Sequence, residues 1–296
     1  MLFLSIVVPT YNRAHIIGKT VLSLLDQSVE NYEIIVVDDG STDDTESVIK
    51  ALNSDKIRYV KTENGERARA RNIGTRLAKG DYVNWFDSDD LALNNHCETI
   101  LNTIRDFDNP EIIRLDYMIY NETKNKKKKV CHKKNVRNDI IKGNSFGTAS
   151  VVVNRHIALM NPFNEDIELS ASEDYELWLR LLSKYKVTPV PVVTSWLVQH
   201  DERSVAMMSN SAILEKRFGH LISYSLSNPE TAHFIGKSKN YFLMRNFLVL
   251  SADLAVHKHR KKALLYLGKA LKISPLAIFQ RIFYASIKHI FNLKFS

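Results

Sequence analysis

Asp87-Ser88-Asp89-Asp90 sets three carboxylates within four positions, directly after Tyr82-Val83-Asn84-Trp85-Phe86, which reads as a buried strand. Acids packed at the end of a core strand repel one another and lose hydration, so a positive partner is expected to compensate them. A divalent cation carrying a diphosphate fits that role. Ions of the Mg²⁺ type take one or two carboxylates and leave their other positions to phosphate and water. The plainer alternative is that Asp90 caps a helix running from Leu91, but capping uses one acid and the pattern has three.

Further chemistry-bearing residues follow later in the chain. Ser170-Ala171-Ser172-Glu173 has the spacing of a capping box, opening a helix with Leu177, Trp178, Leu181, Leu182 and Tyr185 inward. Glu173 and Asp174 then sit at a helix N-terminus, where they either complement the dipole or supply a general base kept ionised by it. Spacing leaves both readings open. His200 heads the stretch His200-Asp201-Glu202-Arg203-Ser204 after a strand-like run at 187–198, and by its context alone reads as a surface residue.

The elements that must position these groups are legible as alternating patterns. Apolar runs at 4–8, 34–37, 57–60 and 82–86 read as buried strands. Between them, helices are expected after Asn12 as N-cap, with Ile17, Val21, Leu24 and Leu25 inward, from Ser41 or Thr42, and over 66–79 up to Gly80. This β-α-β-α-β-α-β order predicts an α/β fold, a parallel sheet with helices on both faces. Ligands of such sheets bind at the carboxyl ends of the strands, near the topological switch point. Thr10-Tyr11-Asn12, Asp38-Asp39 and the 87–90 acids all stand at those ends.

The first strand is followed by Pro9-Thr10-Tyr11-Asn12-Arg13, with no G-x-G-x-x-G, and no G-x-x-x-x-G-K-[ST] loop is present. Phosphate charge would therefore be met by metal and basic side chains. Strands are also expected at 111–120, at 130–136 around a Lys-rich turn at 125–129, and at 145–154. That turn reads as a solvated hairpin tip, with contact to anionic lipid or an acceptor phosphate as the alternative. Pro189 and Pro191 place part of 187–198 at a sheet edge. From about Ser209 the chain turns helical, with an apolar stretch at 241–255 and a basic cluster at 257–262. A last helix from Ser274-Pro275 is expected to present Leu276, Phe279, Phe283, Ile287 and Ile290 on one side, opposite Arg281, Lys288 and Asn292. It could lie in a membrane interface or dock on the catalytic domain.

At 296 residues, 45% hydrophobic and 25% charged, the composition is globular, with room for a large domain and a smaller one. The formal charge of +8 suits anionic partners without naming them. Cys97 and Cys131 have no metal or disulfide spacing and read as reduced thiols. Neither a signal peptide nor a membrane span is expected, which points to a cytoplasmic protein.

These residues together resemble the family 2 glycosyltransferases, the large inverting group with the GT-A fold. The likeness runs from Ser5 to about Ser204 and rests on several motifs in order: Val8-Pro9-Thr10-Tyr11-Asn12, Ile34-Ile35-Val36-Val37-Asp38-Asp39-Gly40-Ser41, Ala70-Arg71-Asn72 with Gly74, Phe86-Asp87-Ser88-Asp89-Asp90, and Glu173-Asp174-Tyr175-Glu176-Leu177-Trp178. The helical C-terminal region at 206–296 matches none of the family's motifs, and the resemblance implies a GT-A catalytic domain at 1–205. It implies a nucleoside-diphosphate sugar donor, most often UDP-linked. Tyr11 would stack on the base beside Pro9 and Thr10, Asp39 would accept from the base ring N–H, and Arg71 would approach the nucleotide. Asp87 and Ser88 would lie near the ribose, with Asp89 and His200 on Mn²⁺ or Mg²⁺. Asp174 would be the base that activates the acceptor hydroxyl. It further implies a saccharide acceptor, lipid-linked in the bacterial surface-polysaccharide members, at the cytoplasmic face of the inner membrane. No nucleic-acid partner is expected, and self-association stays open. No Q-x-x-R-W motif is present, which favours one sugar per encounter over processive synthesis. A sugar nucleotidyltransferase would want a Gly-rich loop after the first strand; a catalytically silent sugar-nucleotide-binding subunit is the remaining alternative.

Overall fold

The computed structural model describes residues 2–131, 136–200 and 209–293. The chain divides into two compact units: the first comprises 1–136, 146–165 and 185–200, the second 137–145, 166–184 and 201–296. The boundary expected at 205, the stretch Asp201 to Ser204 and residues 132–135 of the expected hairpin lie outside the described residues.

The first unit is built on a sheet. Its opening strands are β1 (Leu4–Thr10), β2 (Tyr32–Asp38), β3 (Ile57–Lys61) and β4 (Tyr82–Trp85), separated by α1 (Ile17–Leu25), α2 (Thr45–Ala51) and α3 (Glu66–Leu77). There follow β5 (Leu91–Ala92), α4 (His96–Asp106), β6 (Ile112–Asn121), β7 (Lys126–Val130), α5 (Val136–Ile141), which from Arg137 onward belongs to the second unit, β8 (Val151–Asn154) and α6 (Arg155–Met160). After α7 (Glu173–Lys184), which belongs to the second unit, comes β9 (Val187–Gln199). The strand order is β3-β2-β1-β4-β8-β6-β9-β5, with β7 on β6. The first four strands run parallel, and β1 lies between β2 and β4, so the order reverses there.

Alternation along β1 explains why both faces are covered. Leu4, Ile6 and Val8 meet Ile17, Val21 and Leu24 of α1 and Cys97, Ile100 and Ile104 of α4 in one core. Such a buried aliphatic side chain contributes about 1.5–3 kcal/mol. Val7, on the opposite face, touches α3. A Cβ on Gly74 would stand 2.2 Å from Val7 Cγ1, so the close approach of this helix to the sheet depends on glycine.

Several local expectations are corrected. Asn12 does not cap α1; with φ 50° it bridges to the next loop, and α1 starts at Ile17 without a side-chain cap. The second helix starts at Thr45 rather than Ser41 or Thr42, because Asp43 accepts from the Thr45 N–H and hydroxyl in a turn. The alternative of a helix opening at Leu91 also fails: Leu91 enters β5, and Asp90 Oδ1 accepts from the Val198 N–H at 2.9 Å. The lysines expected in a turn form β7, register-paired from Tyr117↔Val130 to Asn121↔Lys126, with Lys127 over the Trp196 ring at 4.2 Å. Exposed lysines on an outer strand oppose edge-to-edge pairing.

The second unit contains α5 from Arg137 onward and α7, then α8 (Ser211–Ser227), α9 (Pro229–Ile235), α10 (Lys239–Val256), α11 (Arg260–Ile273) and α12 (Arg281–Phe291). Leu214, Met244, Leu248, Leu254, Leu267 and Ile290 share its core. Arg217 of α8, almost fully buried, is paired with Asp253 of α10 at 2.9 Å. The last helix expected from Ser274 is split. Residues Pro275–Phe279 form a 3₁₀ turn, Gln280 is extended, and α12 follows. Leu276 and Phe279 are consequently exposed, while Ile290 is in the core. Among the described residues no helix is long and apolar enough to cross a membrane.

Candidate active site

At the end of β1, Pro9 and Thr10 are buried and Tyr11 is 47% exposed. The loop beyond is tied to the end of β2 by short bonds. The Asn12 N–H donates to Ser41 Oγ at 2.8 Å, the Thr42 N–H to Asn12 Oδ1 at 2.8 Å, and the Asp39 N–H to the Thr10 carbonyl at 2.8 Å. Asp38 serves this turn: it accepts from the Ser41 N–H and the Tyr59 hydroxyl. Asp39, also buried, accepts from the Gly65 N–H at 2.9 Å. Burial raises its pKa, against the lowering effect of the Gly65 and Glu66 N–H groups.

At the end of β4 the carboxylates of Asp87, Asp89 and Asp90 each place an oxygen within 4.8 Å of the others. Arg71 of α3, buried beneath the Phe163 ring, reaches Asp87 Oδ1 at 2.7 Å. His200, just past β9, places Nε2 3.0 Å from Asp89 Oδ2. The Ser88 carbonyl accepts from the Thr20 hydroxyl at 2.9 Å, pinning this loop to α1. Hard carboxylate oxygens with an imidazole beside them are a donor set that suits Mn²⁺ or Mg²⁺. The ends of β1, β2 and β4, flanking the reversal in strand order, are where an open α/β sheet receives its ligands.

Asp174 belongs to the second unit. Ser170 is not its helix's cap: Ala171 takes a φ of 67°, and the Ser172 carbonyl accepts the first helical N–H, from Glu176. Asp174 thus lies in the opening turn of α7, accepting from the Asn144 amide at 2.8 Å and from the Tyr175 N–H at 2.7 Å.

Sequence reasoning did not find the Arg71–Asp87 pair, or the buried set in which His96 joins Asn84 and Thr194 at 3.0 Å each. The available signal was Asn84 itself, a polar residue in the middle of a buried strand.

The family model for glycosyl transferase family 2 matches residues 5–161, more than half of the chain. The chain belongs to this family. An uncharacterized glycosyltransferase of Rickettsia felis is 32% identical over 219 residues, 70% of this chain and 36% of that protein. The chain thus spans about a third of that relative's length. The Escherichia coli UDP-Glc:alpha-D-GlcNAc-diphosphoundecaprenol beta-1,3-glucosyltransferase WfgD is 30% identical over 187 residues, 63% of this chain and 72% of WfgD. Among solved structures, S. aureus TarS in complex with UDP-GlcNAc aligns over 98% of this chain and 89% of its own, with a TM-score of 0.70 at 19% identity. The mannosyltransferase PcManGT from Pyrobaculum calidifontis, in complex with GDP-Man and Mn²⁺, aligns over 98% and 88% with a TM-score of 0.55 at 19% identity. These likenesses establish the GT-A type of fold for this family 2 member.

Proposed function

We infer that the chain transfers a sugar from a UDP-linked donor to an acceptor hydroxyl with inversion, as a step in building a bacterial surface polysaccharide. The observation that carries this is the gathering of Tyr11, Asp39 and three carboxylates at the ends of β1, β2 and β4. Tyr11 stacks on the base beside Pro9 and Thr10, and Asp39 accepts from the base ring N–H. Asp87 and Ser88 lie on the ribose side, and Arg71 acts on the nucleotide through the carboxylate it grips. Asp89 and His200 would hold Mn²⁺ or Mg²⁺, with oxygens of Asp87 and Asp90 near by. When bound, the cation neutralises charge on the leaving diphosphate.

Asp174 takes the proton of the acceptor hydroxyl as that oxygen attacks the anomeric carbon. The bond from that carbon to the diphosphate oxygen breaks on the opposite face, and the diphosphate leaves with the electron pair. An α-linked donor gives a β-glycoside. We assign transfer to residues 1–205 and docking to 206–296, on the cytoplasmic face of the inner membrane with a lipid-linked acceptor. The WfgD acceptor, a diphosphoundecaprenol, supports that choice, and the UDP-GlcNAc bound by TarS supports the donor.

Calorimetry with UDP, GDP, CDP and dTDP, each with and without Mn²⁺, tests the donor reading. Metal-dependent binding of UDP, lost in Asp89→Ala, is expected; no binding of any nucleotide by folded protein sinks it. Asp174→Asn is expected to keep donor binding and lose turnover by about a hundredfold or more. A wild-type chain that binds donor and turns over nothing would favour a silent binding subunit.

A further inference from the structure

The last 43 residues, 254–296, contain nine Lys and Arg and not one Asp or Glu, so they hold the whole positive surplus of a chain whose formal charge is +8. The structure shows what this charge is mixed with. On α12 the inner stripe is Ile290 in the core with Ile282, Phe283 and Ile287 packed against it. The outer stripe is Arg281, Tyr284, Lys288 and Phe291, spaced three, four and three residues apart, and all four are exposed. Basic and aromatic side chains alternate along it. The neighbouring 3₁₀ turn, packed against both α11 and α12, adds Leu276 and Phe279, 64% and 74% exposed. On α11 the exposed positions include Lys261, Leu264, Leu265 and Lys272.

A face that merely met water would not expose so many large apolar side chains, and one built to meet another protein would be depleted in lysine, whereas 254–296 is rich in it. Phenylalanine, leucine and tyrosine set among lysines and arginines match the boundary of an anionic bilayer, where apolar tips enter the headgroup region and cations neutralise phosphate. No described helix is long and apolar enough to span, so such a surface would lie on the bilayer. We propose that the turn Pro275–Phe279 and the outer stripes of α11 and α12 form a surface that docks on anionic lipid. The proposal rests on the membrane part of the reading above and is independent of the transfer chemistry.

Co-sedimentation of the full chain with vesicles tests it, using phosphatidylcholine alone or in equal parts with phosphatidylglycerol, at rising NaCl. Binding is expected to the anionic vesicles only, and to fall as salt screens the charges. Arg281→Glu with Lys288→Glu should lower the partition coefficient at least about tenfold. Leu276→Ser with Phe279→Ser should lower it while leaving the salt dependence in place. All four sites are exposed, and unchanged thermal unfolding and UDP binding verify that both variants are folded. Equal binding to both vesicle types, no binding to either, or undiminished binding by both variants would overturn the proposal. So would concentration-dependent self-association abolished by the same substitutions, since a second copy would then cover this face. Vesicle binding without any nucleotide binding would sink the transfer reading and leave this one standing.

Discussion

The strand β4 carries two polar clusters, one in its middle and one just past its end, and they are built on opposite terms. In the middle, the Asn84 amide donates to the Ala149 and Val151 carbonyls at 3.1 and 2.8 Å, which fixes its orientation. Its Oδ1 then accepts from His96 Nε2–H, and His96 Nδ1 accepts from the Thr194 hydroxyl. The cluster is closed and neutral, as a low-dielectric interior requires. Past the end, Asp87, Asp89 and Asp90 hold like charges within 4.8 Å of one another, beside Arg71 and His200. The polarity buried in mid-strand is paired off without charge, whereas the polarity past the strand's end gathers like charges.

The largest effect should separate the two clusters cleanly. Asp89→Asn keeps the shape and a hydrogen bond toward His200 but removes one negative charge. Transfer is expected to fall about a thousandfold, from the loss of several kcal/mol of charge stabilisation. The unfolding temperature should hold or rise, because like-charge repulsion is relieved. Turnover and thermal unfolding on the same preparation check both halves. A variant that unfolds early and still transfers sugar would erase the distinction.

What was legible in the chain follows the same division. The strands β1 to β4 show as apolar runs, and the acids at their ends show because nothing apolar explains them. Asn84 shows as an anomaly, but its partner Thr194 is bound through His96, which is itself 98 residues from Thr194. No local pattern carries such a pairing. Arg71 could be placed on a helix, yet its grip on Asp87 depends on how α3 lies against the sheet. The lysines of β7 read as a turn by composition, and cross-strand pairing with β6 overrode that. Ala171 at positive φ moved the start of α7 by two residues, and a non-glycine residue gives no warning of that conformation.

The middle cluster gives the second prediction. Burial pushes the His96 pKa down to about 4 from an ordinary value of 6.5. Between these values the unfolded chain binds a proton that the folded chain refuses, so stability is lost as pH falls from 6.5 toward 4. The contribution of this one group is about 3 kcal/mol over that window. His96→Gln keeps amide donors and acceptors but removes the titration. Its urea midpoint should therefore lose less on acidification than that of the unmodified chain, while Mn²⁺-dependent UDP binding at neutral pH stays in place. Identical acid profiles would mean that the cluster is not neutral in the folded chain.

Tyr11 belongs to neither cluster, and that makes it the finest test of the comparison. Nearly half of it is exposed, just past the end of a strand buried along its length. An exposed ring adds little to the fold, so Tyr11→Ala should leave thermal unfolding almost unchanged. Stacking of a base on an aromatic ring is worth about 1–3 kcal/mol, so UDP affinity should weaken about tenfold. A contact to the base would be the same in the ground state and the transition state, which puts the expected loss in KM rather than kcat. Tyr11→Phe keeps the π face and should restore affinity. If alanine weakened kcat instead, the ring would act on the reacting sugar rather than the base, and ligand-directed side chains at this sheet end would not need charge to reach the chemistry.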